Sequence, residues 1–157
     1  AATEAERLEA NMSVELYRMK FGHLRRAEDL KLFLGALTRG GLQKWPWGFD
    51  AGTRKPLTAD DIRQVAFGRI WQGNLDSIGP GVSQIGVDGS LAARTNAYIA
   101  TGEVIISGDM LCERVESLSL GRTVCGPIYR NAASSVEGEY MYTYVNATKV
   151  FHFSPVD

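Results

Sequence analysis

The sequence is poor in the residues that most often build catalytic and metal centres. Its 157 residues contain two cysteines and two histidines. Two cysteines are too few for a disulfide framework, and Cys112 and Cys125 lack the spacing of a metal site. His23 and His152 have no convergent ligands at a readable spacing, so we interpret both as structural. No G-x-S-x-G nucleophile motif is present either. The sequence therefore predicts no catalytic residue, no metal and no cofactor.

Long apolar runs and a charge excess of one sign are also missing. No apolar stretch approaches the ~20 residues that a membrane-spanning helix needs. Seventeen basic residues face 18 acidic ones, and they are not clustered as on a nucleic-acid-binding surface. We therefore expect neither a membrane nor a nucleic acid as partner. The acidic, helix-forming start does not resemble a signal peptide, and it lacks an initiator Met, so we expect an excised segment or a mature product.

Residues 1–44 are predicted to be a helical lead-in. Residues 1–11 favour helix, and Ser13 precedes a second helix over Val14–Phe21 that Gly22 ends. A third helix over Ala27–Arg39 places leucines and Phe33 at helical spacing. Such short helices cannot bury their apolar faces alone, so they need another layer to pack on.

Residues 45–57 are predicted to be a connector, because two prolines and two glycines oppose regular structure. Trp45, Trp47 and Phe49 are too apolar for a solvated linker. We interpret them as the joint that pins the helices to the next domain. An aromatic peptide-binding surface is the alternative.

Residues 58–157 are predicted to be an antiparallel β-barrel-like domain. Thr58 and Asp61 have the spacing of a capping box at the start of one helix. Beyond it, short β-rich runs alternate with glycine turns such as Asp88-Gly89, with no long helix between them. The predicted fold class is α+β: short N-terminal helices followed by an antiparallel meander or lipocalin-like barrel.

A tyrosine-rich strand is the best candidate for ligand binding. Tyr140, Tyr142 and Tyr144 alternate, so a single strand projects all three to one face, and Tyr98 is expected to join them. Inside a barrel they would line a small-molecule cavity; otherwise they pack on the helices or face solvent. Arg94 and Arg114 are candidates for an anionic ligand, with surface ion pairs as the alternative.

The two cysteines form a possible disulfide. Cys112 and Cys125 are equidistant from Leu118/Ser119, so a hairpin turn there makes them cross-strand neighbours. A turn at Gly121-Arg122 would not place the two cysteines opposite each other. In the cytoplasm, which we expect, they would be buried thiols; a disulfide would indicate the periplasm.

Several motifs resemble parts of bacterial class III adenylate/guanylate cyclases outside the catalytic domain. The first part is similar to the end of their helical-repeat regions, and the second to a C-terminal accessory extension and to small lipocalin-like proteobacterial barrels. The motifs concerned are Ser13–Arg18, Glu28–Leu30, Leu34–Leu42, Phe67–Gly73, Gly108–Cys112 and Cys125–Asn131.

This resemblance implies a non-catalytic sensor or interaction module of a nucleotide cyclase. Its partners would be upstream domains of the parent protein and a small-molecule ligand. A free-standing lipocalin-like small-molecule carrier is the alternative, and an enzyme with an unrecognised site is a third hypothesis.

Overall fold

The computed structural model describes residues 10–23, 26–119, 121–132 and 139–156. In these ranges four α-helices precede or interrupt the sheet: α1 Val14–Phe21, α2 Ala27–Arg39, α3 Ala59–Ala66 and α4 Glu116–Ser119. A 3-10 turn spans Pro46–Gly48. The predicted helix over residues 1–11 lies mostly outside the described residues, of which only Ala10 and Asn11 are helical. None of the helices within the described ranges is long and apolar enough to cross a bilayer.

Helices α1 and α2 have the predicted bounds and pack on each other. The Ser13 hydroxyl caps α1 by accepting a hydrogen bond from the Leu16 amide at 3.1 Å. The rings of Tyr17, Phe21 and Phe33 meet with centroids 5.5–5.9 Å apart. Leu34 of α2 is also buried. This small aromatic core explains why two short helices hold together.

Helix α3 belongs to the barrel and closes one of its ends. Thr58 and Asp61 form the predicted capping box, with each side chain accepting from the other residue's backbone amide. Ile62 and Ala66 are fully buried in the barrel core. The indole Nε1 of Trp71 donates to the Val65 carbonyl at 2.7 Å, which ties the helix to the first strand.

Within the described ranges nine strands form one sheet, and it is antiparallel as the sequence predicts. Their order is β6-β5-β4-β3-β2-β1-β9-β8-β7. The bounds are β1 Arg69–Leu75, β2 Gly79–Ile85, β3 Ser90–Thr95, β4 Ile99–Ser107, β5 Met110–Arg114, β6 Thr123–Gly126, β7 Ile128–Arg130, β8 Tyr142–Asn146 and β9 Lys149–Val156.

The sheet nearly closes into a barrel, because β6 and β7, its two edge strands, are consecutive and separated only by Pro127. β6 pairs with β5, while β7 pairs with β8. The Pro127 carbonyl also accepts from the Val145 amide at 3.2 Å. A Cβ on Gly126 would lie 1.7 Å from the Val145 carbonyl oxygen, so only glycine permits this contact. The predicted α+β class with a lipocalin-like antiparallel barrel is confirmed.

At three places the residue types predict something that the structure does not have: a strand break at Gly73, a loop at Gly79-Pro80-Gly81, and only a strand and a turn between Met110 and Arg122. Gly73 does not interrupt β1, because strand β9 passes so close that a Cβ there would meet the His152 carbonyl oxygen at 1.9 Å. Gly79-Pro80-Gly81 is not a loop but the start of β2, paired with the end of β1. The segment after β5 is not simply a strand and a turn, since Glu116–Ser119 forms one helical turn, α4.

Candidate functional site

Aromatic side chains fill the centre of the barrel. The Trp71 ring stacks on Phe153 with centroids 3.9 Å apart, and Phe151 lies 6.3 Å from Trp71. Tyr142 and Tyr144 project into this core and are both buried. They therefore occupy the barrel interior as packing groups, and ligand binding by them stays a prediction.

One end of the barrel contains a buried polar cluster. The Lys149 ammonium forms an ion pair with Glu113 Oε2 at 2.8 Å, and their side chains are 16% and 10% exposed. Asn146 Nδ2 donates to Glu113 Oε1 at 3.1 Å and to the Tyr144 hydroxyl at 3.0 Å. That hydroxyl donates in turn to the Leu111 carbonyl at 3.2 Å. Burial raises the pKa of Tyr144 well above its usual value, so the phenol is a neutral donor at pH 7.

A cavity of about 150 Å³ lies above this cluster, at the barrel mouth. Glu113, Lys149 and Tyr98 contribute polar groups to its wall. Strand ends and turns supply the remainder, with Leu118 and Ser119 of α4 on the outer side. Tyr98 therefore lies at the barrel mouth, although it is far in sequence from the tyrosines of β8. Burial raises the Tyr98 pKa, with smaller effects from Lys149 and Glu113.

Tyr140 and Arg94 meet elsewhere, in a groove of about 580 Å³ on the outer surface. Strand β8 begins at Tyr142, so Tyr140 precedes it and does not share the inward face that the alternation predicted. Gln72, Asn96, Pro80 and Val82 are among the other groove residues. Arg114 is exposed on the outer face of β5, opposite Glu103 and Thr123. The six predicted ligand residues therefore lie in several separate environments.

The connector packs on the outer face of the barrel. Trp45 and Phe49 are buried with Tyr129, Val145 and Val150, whereas Trp47 is only partly buried. Phe49 and Tyr129 have ring centroids 5.7 Å apart. Burial raises the pKa of Tyr129, and the nearby Arg54 partly opposes this.

A second cavity of about 580 Å³ separates α1 from the barrel beside this joint. One wall comes from the helical part and the connector, with Glu15, Arg18, Met19, Lys44 and Trp45. The other comes from the barrel exterior, including Met110, Cys125, Pro127, Tyr129 and Ala147. We call this space the helix–barrel cleft. The Val14 amide donates to the Gln43 carbonyl and the Glu15 amide to the Lys44 carbonyl, which holds the start of α1 to the residues just before the connector.

Cys112 and Cys125 are paired in a disulfide on the outer face of β5 and β6. They are direct cross-strand partners with Cα atoms 3.9 Å apart. The register favours the alternative in which the chain reverses near Leu118/Ser119. Cys112 is buried, while Cys125 lines the helix–barrel cleft.

His152 has the neighbours of a catalytic histidine but not the accessibility. Its Nε2 lies 3.3 Å from Asp76 Oδ1, and its Nδ1 lies 2.9 Å from the Thr143 hydroxyl. Thr143 is fully buried, and its hydroxyl donates to Asn131 Oδ1 at 2.8 Å. A hydroxyl whose proton is held by an amide and which no substrate reaches is not a nucleophile. Across the described ranges, no three His, Cys, Asp or Glu side chains are grouped so as to hold a metal ion.

Comparisons with models of known protein families, with curated proteins and with solved structures found no match to this chain. Sequence reasoning missed Glu113, Asn146 and Lys149, because charged residues on short strands usually face solvent. The one available signal was alternation: Glu113 shares its strand face with Leu111, which is buried.

Proposed function

We propose that this chain is a non-catalytic sensor or interaction module of a bacterial nucleotide cyclase, and that the placement of its helices on the barrel is the signal. The helix–barrel cleft is the observation that carries the proposal. Its two walls belong to different parts of the chain, so a ligand that fills it changes its contacts whenever the helices move. Only a ligand with different affinity for two arrangements shifts the equilibrium between them.

The attachment of the helices supports this reading. They meet the barrel mainly through the connector, where Trp45 and Phe49 are buried against Tyr129. A further link is an exposed hydrogen bond, in which the Arg122 guanidinium donates to the Met19 carbonyl of α1 at 3.2 Å. Among the described residues the attachment consists of a compact apolar joint and an exposed hydrogen bond, which allow rotation of α1 more readily than a continuous packed interface does. The link to a cyclase rests on the resemblance of the sequence motifs.

A free-standing small-molecule carrier is the second candidate. Its support comes from the outer groove, where Arg94 and Tyr140 line about 580 Å³. The barrel interior does not support the carrier hypothesis, because the rings of Trp71, Phe151 and Phe153 pack through the barrel centre. Native mass spectrometry of the purified chain tests it: a retained small molecule that is lost in Arg94→Ala favours the carrier.

Two experiments test the sensor proposal. The coding sequence upstream of Ala1 is read first; a cyclase catalytic domain there supports the assigned parent, and an unrelated domain contradicts it. Trp45→Ala is then introduced into that parent. Loss of this buried ring at the joint should release α1 and α2, seen as faster hydrogen exchange there, and should change cyclase activity at least severalfold.

The matched control is Leu32→Ala. Leu32 lies on α2 but is 68% exposed, so its loss should leave both exchange and activity unchanged. The proposal fails if Trp45→Ala releases the helices while cyclase activity stays at the wild-type level, because the helices would then carry no signal.

A further inference from the structure

The polar cluster at the barrel mouth is poorly explained as a stabilising device. Glu113 and Lys149 lose most of their hydration inside a barrel whose remaining core is largely apolar and aromatic. Attraction between buried charges often does no more than offset this loss of hydration, and apolar residues of similar size frequently serve stability as well. A charged pair that borders a cavity is therefore a candidate binding site.

Hydrogen-bond donors in the cavity wall are left without protein acceptors. The ammonium of Lys149 carries three N–H groups, and the structure gives it one acceptor, Glu113 Oε2. The Tyr98 hydroxyl has no hydrogen-bond partner among the residues that the structure describes, and like any phenol with a pKa near or above ~10 it is protonated at neutral pH. Both groups line the same cavity. A ligand with an acceptor group, rather than a donor group, complements them.

The rest of the wall is mostly apolar and the space is small. Leu75, Ile78, Val115 and Leu118 surround the polar side. At about 150 Å³, the cavity is smaller than the ~300–1,000 Å³ pockets that hold drug-sized ligands. A short hydrocarbon with one acceptor head fills such a space.

We propose that the barrel mouth binds a short-chain aliphatic carboxylate, with its head on Lys149 and Tyr98 and its tail against the leucine and valine side chains. Glu113 accepts from Asn146 and Lys149 and holds the ammonium in place. Because this ion pair is neutral overall, the ligand carboxylate would be held by the remaining N–H groups of Lys149 and the Tyr98 hydroxyl rather than by a net positive charge.

The mouth is connected to the helices by a short path, and this part of the inference rests on the proposed function. Leu118 and Ser119 of α4 line the cavity. The Ser119 hydroxyl contacts the Arg122 carbonyl at 2.7 Å, and Arg122 Nη1 donates to the Met19 carbonyl of α1 at 3.2 Å. A ligand that pushes α4 outward therefore acts on the contact that holds α1 beside the cleft.

Butyrate is the probe, titrated into the ¹⁵N-labelled full chain and followed by amide chemical shifts. Saturable shifts confined to the barrel mouth are expected, and n-butylamine and butyramide should produce much weaker ones. The absence of saturable shifts with butyrate overturns the site. Equal binding of the amine or the amide overturns the assignment of a carboxylate.

Tyr98→Phe is the decisive variant, because it removes only one hydroxyl and should leave the fold intact. A hydrogen bond to a charged group supports a loss of about tenfold in butyrate affinity. Tyr140→Phe, a half-buried tyrosine of the outer groove, is the matched control and should bind butyrate normally. Unchanged affinity in Tyr98→Phe contradicts the proposed pose.

Hydrogen exchange of α1 with and without butyrate separates the site from the signal. Faster exchange of α1 on binding, abolished in Arg122→Gln with unchanged affinity, supports both. Binding without any change in α1 supports the mouth site and contradicts its role as a sensor.

Discussion

The Glu113–Lys149 pair should show strong energetic coupling in a double-mutant cycle. Lys149→Met leaves the Glu113 carboxylate, 10% exposed, with Asn146 as its remaining side-chain donor. Glu113→Gln leaves the Lys149 ammonium, 16% exposed, without a counter-charge. Removing one partner of a buried pair costs about 3 kcal/mol or more, because the other charge stays buried.

The double variant should lower the free energy of unfolding by about 3 kcal/mol less than the two single variants do when their costs are added. Glu113→Gln retains an acceptor for Asn146, and Lys149→Met retains most of the apolar stem, so neither charge remains to be buried. We expect about 3 kcal/mol for each single variant and about 3 kcal/mol for the double one, which gives a coupling of about 3 kcal/mol. For a chain of this size, each single variant should lower Tm by roughly 6–12 °C.

The assay is urea unfolding at pH 7 followed by tryptophan fluorescence, since Trp71 lies in the barrel core. Asp60→Asn is the control: its pair with Arg63, at 3.2 Å, has side chains 88% and 62% exposed, and its loss should change stability by no more than about 0.5 kcal/mol. Additive single costs, or single costs as small as the control, would show that the pair is hydrated. In that case Glu113 and Lys149 keep their hydration, and the barrel mouth lacks the desolvated charges on which the proposed ligand site depends.

Three further predictions concern closure, pH and oxidation. Gly126→Ala should destabilise the barrel by at least about 3 kcal/mol, because its Cβ would meet the Val145 carbonyl oxygen at 1.7 Å. The control is Gly35→Ala on α2, which should be neutral or stabilising. Thermal unfolding measures both. Because the pKa of Tyr144 is raised in the folded state, the folded protein keeps a proton that the unfolded chain loses above pH ~10. The free energy of unfolding should therefore fall as pH rises past that point. Tyr144→Phe should flatten this fall when stability is measured by urea unfolding at each pH. An unchanged slope in that variant would show that Tyr144 ionises freely. Reduction of the disulfide, which spans 13 positions, should remove about 3 kcal/mol and lower Tm without dissolving the barrel; unchanged unfolding after complete reduction would refute its stabilising role.

Local patterns account for what could be predicted from the sequence. Helix α2 has a regular apolar repeat and a glycine at its end, and α3 has a capping box, so both could be located from the chain alone. Helix α4 could not, because a single turn of four residues has no periodicity to detect. The start of β2 at Gly79 was hidden by turn-forming residues, whose place in the strand depends on pairing with the neighbouring β1.

The candidate site was less accessible to sequence reasoning because it is assembled from distant segments. Glu113 and Lys149 are 36 positions apart, and nothing in either local sequence indicates that they meet inside a barrel. Closure by β6 and β7 is likewise a property of the complete sheet. The tyrosine alternation correctly placed Tyr142 and Tyr144 on one face, but the strand begins too late to include Tyr140.

The disulfide and the resemblance to a cyclase module point to different compartments. Disulfides persist mainly in oxidising surroundings, whereas the cytoplasm, where the accessory end of a cyclase would lie, is reducing. The two views are compatible only if the bond forms conditionally. Cys125 lines the helix–barrel cleft, and the disulfide joins β5, which carries Glu113, to β6, which follows Arg122. Reduction would therefore loosen the strands on both sides of α4, the same segment that connects the barrel mouth to α1. A cytoplasmic location would thus make the helices sensitive to oxidation, and a periplasmic one would leave the ligand as the only input.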